Sequence, residues 1–216
     1  MGAGCVGGWS NDAMTTDRFH GRIAGMGTTS GVRIVVGRWS DSPLGPFADV
    51  MLERADGHRL LLAPDRPTAE FIADTYVFDE VRLTPVSVTD PAPQTWLVRA
   101  AELHLEFHLG GRPALGRLLR LVPRTLAAQQ WWNRVIDPIA RRLLPGVRTT
   151  GTARSGRREY YGAHDQQLID SLTGQWEGGD LGTLAAVDPP VRFGFSSTPS
   201  MPSVTSVITT VVTDGR

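Results

Sequence analysis

The chain has 216 residues, balances 22 basic against 22 acidic side chains, and draws every basic side chain from arginine because it contains no lysine. The lack of lysine excludes a lysine Schiff base, a pyridoxal-phosphate anchor and the lysine of a phosphate-binding loop. The single cysteine, Cys5, excludes an intramolecular disulfide, and no apolar run reaches the roughly 18 residues of a membrane span, so we expect a cytoplasmic protein.

Residues 1–31 predict a flexible N-terminal lead. Glycines are scattered there among small polar residues without a hydrophobic period, and such a segment buries too little apolar surface to offset the entropy of ordering it. We expect the natural start of the chain at Met14 or Met26. The folded part is then predicted to be one domain over residues 32–216.

From residue 32 onward the sequence favours short strands separated by Gly and Pro. The strand-like segments are 32–36, 47–54, 59–62, 76–88, 95–109, 168–177, 191–195 and 204–212. Roughly eight to ten such strands favour a closed or half-closed antiparallel β-barrel. The fold class is therefore predicted to be mainly β with an inserted helical segment (α+β).

The helical insertion is predicted at residues 112–145, where apolar side chains recur at helical spacing and Pro123 and Pro138 should split or kink the helix. Against one acid, Asp137, the stretch 112–148 carries eight arginines, at positions 112, 117, 120, 124, 134, 141, 142 and 148. Such basic helices suit an anionic membrane surface, an acidic carrier protein or phosphate groups. The alternative is a cover that packs on the barrel with solvated arginines. We do not expect nucleic acid, because no binding motif accompanies the arginines.

Strand 102–109 carries the sharpest cluster of titratable residues. Its apolar residues occupy every second position, so Glu102, His104, Glu106 and His108 share the opposite face. If this face lines a cavity, it offers acid–base groups; if it faces outward, it is an ordinary solvated face. A metal would need a third ligand, so we predict neither a metal site nor a cofactor.

A second cluster combines Arg157 with Tyr160 and Tyr161. Arginine beside tyrosine suits an anion with an apolar body, because guanidinium binds a carboxylate or phosphate through two hydrogen bonds. The other interpretation is a segment that closes the barrel and places the tyrosines in the core.

Two resemblances to known families follow from these residues. The segment Asp-Ser-Pro-Leu-Gly-Pro-Phe-Ala-Asp at 41–49 resembles the Gly-Pro-Tyr-x-Glu segment of acetoacetate decarboxylase-like proteins, and the hairpin, the Pro-Thr-Ala-Glu at 67–70 and an aromatic strand follow in a similar order. Segments 157–162 and 188–195 resemble an actinobacterial family of about this length. The first resemblance implies a lipocalin-like barrel around a central cavity, with Asp49 where that family keeps a lumenal glutamate.

The chain departs from that family at its reactive lysine. Asp79 stands near the position where the family's lysine is expected, so the Schiff-base mechanism is lost. What the resemblance then implies is a cavity that holds a small apolar anionic molecule through Arg82 and Arg99.

These residues predict a cofactor-independent cyclase, isomerase or lyase acting on a keto-acid or polyketide-like molecule, as in biosynthesis of secondary metabolites. Asp49, His104 and Glu106 would move protons, while Arg82, Arg99, His108 and the 157–161 cluster would bind substrate. The basic helices would dock an acidic carrier protein or a coenzyme A thioester. The alternative is a non-catalytic ligand-binding or interaction protein whose arginine-rich helices contact an anionic partner or a membrane surface.

Overall fold

The structure of the protein, a computed structural model, describes residues 15–143, 147–152, 157–194 and 196–213. Within these residues thirteen strands form one sheet, and four helices accompany it. The strands are β1 (Thr15–Thr28), β2 (Arg33–Asp41), β3 (Phe47–Glu53), β4 (Arg59–Ala63), β5 (Glu80–Leu83), β6 (Val86–Thr89), β7 (Thr95–Ala100), β8 (Leu103–Leu109), β9 (Thr150–Thr152), β10 (Arg158–Trp176), β11 (Gly179–Asp180), β12 (Leu184–Ala185) and β13 (Ser203–Thr213). The helices are α1 (Arg66–Ala73), α2 (Ala114–Leu119), α3 (Arg124–Ala127) and α4 (Gln130–Leu143).

The order of strands across the sheet is β5-β4-β3-β2-β1-β13-β10-β8-β7-β6. Neighbours are antiparallel except for β4 and β5, which run parallel. The long strand β10 joins the two halves of the sheet: its first part pairs with β13 and its last part with β8. Register shifts between Ala163 and Asp165 and between Ile169 and Ser171 interrupt its pairing, and such irregularities bend a strand.

The two halves pack on each other through one apolar core. Alternate side chains of β1 to β4, such as Met26, Ile34 and Leu52, meet apolar side chains of β7 and β8, such as Trp96 and Phe107. Each of these side chains is at most 1% exposed, so the space between the two halves is filled by side chains. The opposite face of β1 to β3 turns towards the helices.

The prediction of a mainly β chain with inserted helices is confirmed, whereas the barrel differs from what the structure shows. In the described part of the chain β5 and β6 are the two edges of the sheet and are not paired with each other, so the sheet is not closed. The parallel β4–β5 pair also makes the sheet mixed rather than purely antiparallel. The reason is α1, which follows β4 and carries the chain back to the start of β5.

The predicted flexible lead is wrong for the residues that the structure describes. Strand β1 begins at Thr15, contains Met26 and lies in the middle of the sheet between β2 and β13. Its glycines allow close packing: a Cβ at Gly25 would lie 2.5 Å from the Thr198 side chain, and one at Gly27 would lie 2.0 Å from the Ala186 carbonyl oxygen. Residues 1–14 of the predicted lead lie outside the described residues.

The helical segment begins and ends close to the predicted bounds and covers part of β10. It splits into α2, α3 and α4 near Pro123, as predicted, while Pro138 lies inside α4. Two glycines allow the close approach, because a Cβ at Gly116 would lie 2.2 Å from the Gln166 carbonyl oxygen and one at Gly162 would lie 2.0 Å from that of Ala127. The helices therefore lie against β10 between its pairings with β9 and β8.

Candidate active site under the helical cover

A cavity of about 300 Å³ lies between the sheet and the helices, on the face opposite the apolar core. Odd-numbered residues of β1, β2, β3 and β13 line its floor, and residues of α1, α2, α4 and the 196–199 segment form its walls. Aliphatic and aromatic side chains make up most of the lining. Among the described lining residues the charged ones are Asp49, Glu159 and Arg148.

Asp49 lies in the floor of the cavity on β3 and is 2% exposed. The indole N–H of Trp39, on the neighbouring strand β2, donates a hydrogen bond of 2.9 Å to Asp49 Oδ1. Burial raises the pKa of Asp49 from 3.8 to about 6, and the Trp39 hydrogen bond opposes that rise by stabilising the carboxylate. Near neutral pH the group is thus a buried base with a pKa close to the working pH.

Two glycines make room for this hydrogen bond. A Cβ at Gly37 would lie 2.2 Å from Asp49 Oδ1 and 2.7 Å from Trp39 Nε1. A Cβ at Gly21 would lie 2.7 Å from the Trp39 ring. The indole therefore lies along the floor over Gly21 and reaches Asp49 beside Gly37, which no larger residue would permit without a shift.

Glu159 forms the second acidic group, with two tyrosines. Its carboxylate oxygens accept hydrogen bonds of 3.2 and 3.3 Å from the Tyr76 hydroxyl and of 3.0 Å from the Tyr161 hydroxyl. The two phenol oxygens also lie within hydrogen-bonding distance of each other. Burial raises the pKa of Glu159 to about 7, while the phenols and the charge of Arg157 lower it.

The hydrogen bonds in the triangle of Glu159, Tyr76 and Tyr161 can be compared with the protons available to form them. Three hydrogen-bonded edges need three protons, and the two phenols supply two. The triangle is therefore complete only when Glu159 is protonated, which agrees with a pKa of about 7. Burial and the nearby Glu159 charge raise the pKa of both phenols well above 10, so the tyrosines stay protonated and can donate.

Three hydroxyl groups of the cavity lining add polar atoms. The hydroxyls of Ser197, Thr198 and Thr209 are buried and have no hydrogen-bond partner among the described residues. A buried hydroxyl without a partner costs roughly 1–3 kcal/mol. They add unpaired polar atoms to a lining that is mostly apolar.

Ion pairs outside the cavity hold its walls in place. Glu53, fully buried, accepts hydrogen bonds from the backbone and side chain of Arg192 at 2.7 and 2.9 Å, and Arg33 lies 3.3 Å from the same carboxylate. These contacts fix the segment that carries Val191 and Phe193 into the lining. An unpaired buried charge at Glu53 would lower the stability of the fold, so we infer that the cluster of Glu53, Arg33 and Arg192 stabilises the structure.

The structure brings two of the predicted site residues, Asp49 and Tyr161, into one cavity. Arg157 lies beside it: its guanidinium is 4.8 Å from the Phe71 ring centre and donates to the Phe71 carbonyl at 3.1 Å, which holds α1 against β10. Tyr160 points to the other face of β10, where its hydroxyl accepts a hydrogen bond of 2.7 Å from Arg134. Arg157 and Tyr160 are thus supporting residues here rather than lining residues.

The other predicted residues lie outside the cavity. His104, Glu106 and His108 are on the exposed face of β8, and the apolar residues between them point into the core. Arg99 borders a shallow groove beside His104 and Glu106. Arg82 is held by Glu80 and Glu177. The outward interpretation of β8 is the one that the structure shows.

Three important residues were not predicted: Trp39, Tyr76 and Glu159. Glu159 could have been found, because strand alternation over 158–161 places Glu159 and Tyr161 on one face and Tyr160 on the other. Tyr76 follows α1 and lies 83 residues from Glu159 in the sequence. Only the folded chain brings it close.

Among the described residues no three His, Cys, Asp or Glu side chains are grouped so that they could hold a metal ion.

Comparison of the chain with protein-family models, with curated proteins and with solved structures finds no match. The resemblance to acetoacetate decarboxylase-like proteins therefore stays a prediction.

Proposed function

We propose that this protein is a cofactor-independent enzyme that binds a small, largely apolar carbonyl compound under the helices and moves protons on it, as an isomerase, cyclase or lyase. The observation that supports this is the shared cavity of Asp49, Glu159, Tyr76 and Tyr161. Buried carboxyl groups whose pKa values are raised towards neutral pH, in one cavity, are typical of acid–base sites. A polyketide-like molecule fits this description, and a lipocalin-like origin of the sheet stays a prediction.

Asp49 is the base in this proposal. With a pKa of about 6 it is mostly ionised at neutral pH, and the Trp39 hydrogen bond orients one of its oxygens. The carboxylate removes a proton from the carbon next to the substrate carbonyl. The C–H bond breaks, the proton moves to Asp49, and the electron pair moves onto the carbonyl oxygen as an enolate.

The tyrosines act on the other end of the substrate. Tyr76 and Tyr161 remain protonated, so either phenol can exchange its hydrogen bond within the triangle for one to the enolate oxygen. Glu159 holds the third proton of the triangle and can replace one that a phenol gives up. Return of the proton from Asp49 to a different carbon gives an isomer. Attack of the enolate carbon on a second carbonyl of the same molecule closes a ring: the electron pair of that C=O bond moves to its oxygen, which takes the proton from Asp49.

The lining favours a neutral substrate over a keto-acid anion. Arg148 is the one arginine among the described lining residues, and it is exposed, whereas both acids are buried. Arg82 and Arg99, which we expected to bind an anion, lie elsewhere. A carboxylate beside Asp49 would meet repulsion without a compensating cation.

The proposal can be tested with an apolar ketone as the probe. Incubation with 2-tetralone in D2O, followed by proton NMR of the carbon next to the carbonyl, measures proton abstraction directly. We expect the protein to accelerate deuterium exchange. Asp49→Asn should lower the accelerated exchange rate at least a hundredfold, which is within the range that one acid–base group contributes. Glu106→Gln should exchange as fast as the unaltered protein. Because Glu106 is exposed on β8, it is the matched control.

Two outcomes would contradict the enzyme proposal. If the ketone binds but exchanges no faster than in buffer, the alternative of a non-catalytic ligand-binding protein is supported instead. If Asp49→Asn exchanges as fast as the unaltered protein, Asp49 is not the base. A carrier-protein or coenzyme A thioester form of the substrate stays a prediction.

A further inference from the structure

The outer surface of the helical cover is unusually apolar for an exposed surface. Four side chains on or beside α2 and α4 are largely exposed: Leu118 by 60%, Leu121 by 77%, Trp131 by 56% and Val135 by 61%. We call these four residues the cover patch. They make up half of the large hydrophobic side chains found exposed in the described part of the chain. Their concentration on one short segment of the chain, unlike single residues scattered over the surface, is typical of an interaction surface.

The segment that carries the cover patch is also basic. Arg117, Arg120, Arg134 and Arg148 are exposed on the same segment. Its single acid, Asp137, is 4% exposed and turned inward, where Oδ1 accepts hydrogen bonds of 2.8 and 3.2 Å from the backbone N–H groups of Thr149 and Thr150. The outward surface therefore presents arginine without acid from its own segment.

The cover patch and the cavity share the same helices. Leu118 is both exposed in the patch and part of the cavity lining, and Arg148 lies at the lining as well. The inward residues of these helices, among them Leu115, Trp132 and Ile136, form the apolar wall. An apolar molecule that approaches the patch thus meets the wall of the cavity directly.

We propose that the helical cover binds an anionic membrane surface and that the cavity takes its substrate from the lipid phase. Trp, Leu and Val side chains among arginines are what an interfacial helix presents to lipid headgroups and acyl chains. Within the described residues none of the helices is long and apolar enough to cross a bilayer. Exposed Leu and Trp gain more from lipid than from the charged surface of an acidic protein.

Uptake of substrate from the lipid phase rests on the proposed function, whereas membrane binding does not. Vesicle flotation of the full chain measures membrane binding, with vesicles of phosphatidylcholine alone and of phosphatidylcholine with phosphatidylglycerol. We expect flotation with the anionic vesicles only, and its loss when the ionic strength rises from about 0.01 M to about 1 M, which shortens the screening length from roughly 30 to 3 Å.

Variants locate the surface. The double variant Arg117→Glu, Arg120→Glu and the double variant Leu121→Ser, Trp131→Ser should each lower the partition coefficient at least tenfold. The control Arg66→Glu, Arg99→Glu makes the same charge change at exposed positions on α1 and β7 and should stay within twofold. Far-ultraviolet circular dichroism of all three confirms that they are folded.

The outcomes separate this proposal from the enzyme proposal. Asp49→Asn should still float, and Arg117→Glu, Arg120→Glu should still exchange dissolved 2-tetralone but lose exchange of a long-chain ketone held in anionic vesicles. Absence of flotation at low salt overturns membrane binding and leaves an acidic protein as the partner of the patch. Equal loss in the Arg66 and Arg99 control also overturns it, because the effect would then follow net charge alone.

Discussion

The molecule carries acidic side chains on two surfaces whose surroundings differ. On the outer face of β8, Glu106 is 46% exposed and lies 3.7 Å from His108 Nε2. On the cavity face, Asp49 and Glu159 are each 2% exposed, and burial raises the pKa of both. The same carboxyl group is a solvated surface charge in the first place and a base or acid near neutral pH in the second.

The difference comes from what covers each face. Both surfaces follow from strand alternation, which divides the side chains between two faces without saying which face is turned inward. The outer face of β8 has no element packed on it in the described residues, whereas helices α1, α2 and α4 lie over Asp49 and Glu159. The cover, rather than the strand sequence, makes a carboxyl chemically useful.

The largest effect on the free energy of unfolding is expected from a substitution on the inward side of β8, compared with one on its outward side. Phe107→Ala should lower the free energy of unfolding by roughly 3–5 kcal/mol, because Phe107 is fully buried in the core between the two halves of the sheet. Its neighbour Glu106→Ala should change it by no more than about 0.5 kcal/mol. Urea unfolding curves measure both. Equal costs would contradict the inward and outward assignment.

The buried acids predict an unusual pH dependence. Because folding raises the pKa of Asp49 from 3.8 to about 6 and that of Glu159 from 4.5 to about 7, folding favours the protonated forms. Their stabilising contribution is complete below the unfolded pKa and is lost as the pH rises through about 6 and 7.

Neutral replacements should remove that loss. At pH 8, Asp49→Asn and Glu159→Gln should each raise the free energy of unfolding relative to the unaltered protein, by about 2–4 kcal/mol at roughly 1.4 kcal/mol per pKa unit. At pH 4 the difference should nearly vanish. Urea unfolding at both pH values measures this. Variants that are less stable at pH 8 would show that the carboxylates are compensated in the fold.

A smaller effect is expected at the glycine beneath Asp49. Gly37→Ala places a methyl group 2.2 Å from Asp49 Oδ1, so it must displace the carboxylate or the Trp39 indole, at a cost of about 1–3 kcal/mol. Gly111→Ala is the control, since a Cβ there meets nothing within 4 Å. Thermal unfolding compares the two, and a tolerated Gly37→Ala would mean that the floor is less tightly packed.

Strand alternation in β8 and the helical spacing of 112–145 made the β-rich fold and the cover predictable from sequence, since both are local patterns. Strand β1 was not predicted because its glycines, which leave room for the side chains of Trp39 and Thr198, give the segment a composition that is also typical of disordered chain. Helix α1 had a signal that was not used: Asp65 caps it, accepting a 2.8 Å hydrogen bond from the Thr68 N–H, with Pro67 in the first turn.

The candidate site was predictable only in part, for a physical reason. Asp49 entered through a family resemblance and Tyr161 through a cluster, but the pairing of Tyr76 with Glu159 depends on a contact 83 residues apart in sequence. No periodicity carries such information. Likewise the inward face of each strand depends on which neighbouring element covers it, and that is settled by packing.

The acid–base pair in the cavity can be observed by carbon-13 NMR titration of protein labelled at its Asp and Glu carboxyl carbons. We expect two carboxyls with midpoints of about 6 and about 7, the first absent in Asp49→Asn and the second absent in Glu159→Gln. If all carboxyls titrate below pH 5, or if the late ones persist in both variants, the cavity does not hold this acid–base pair.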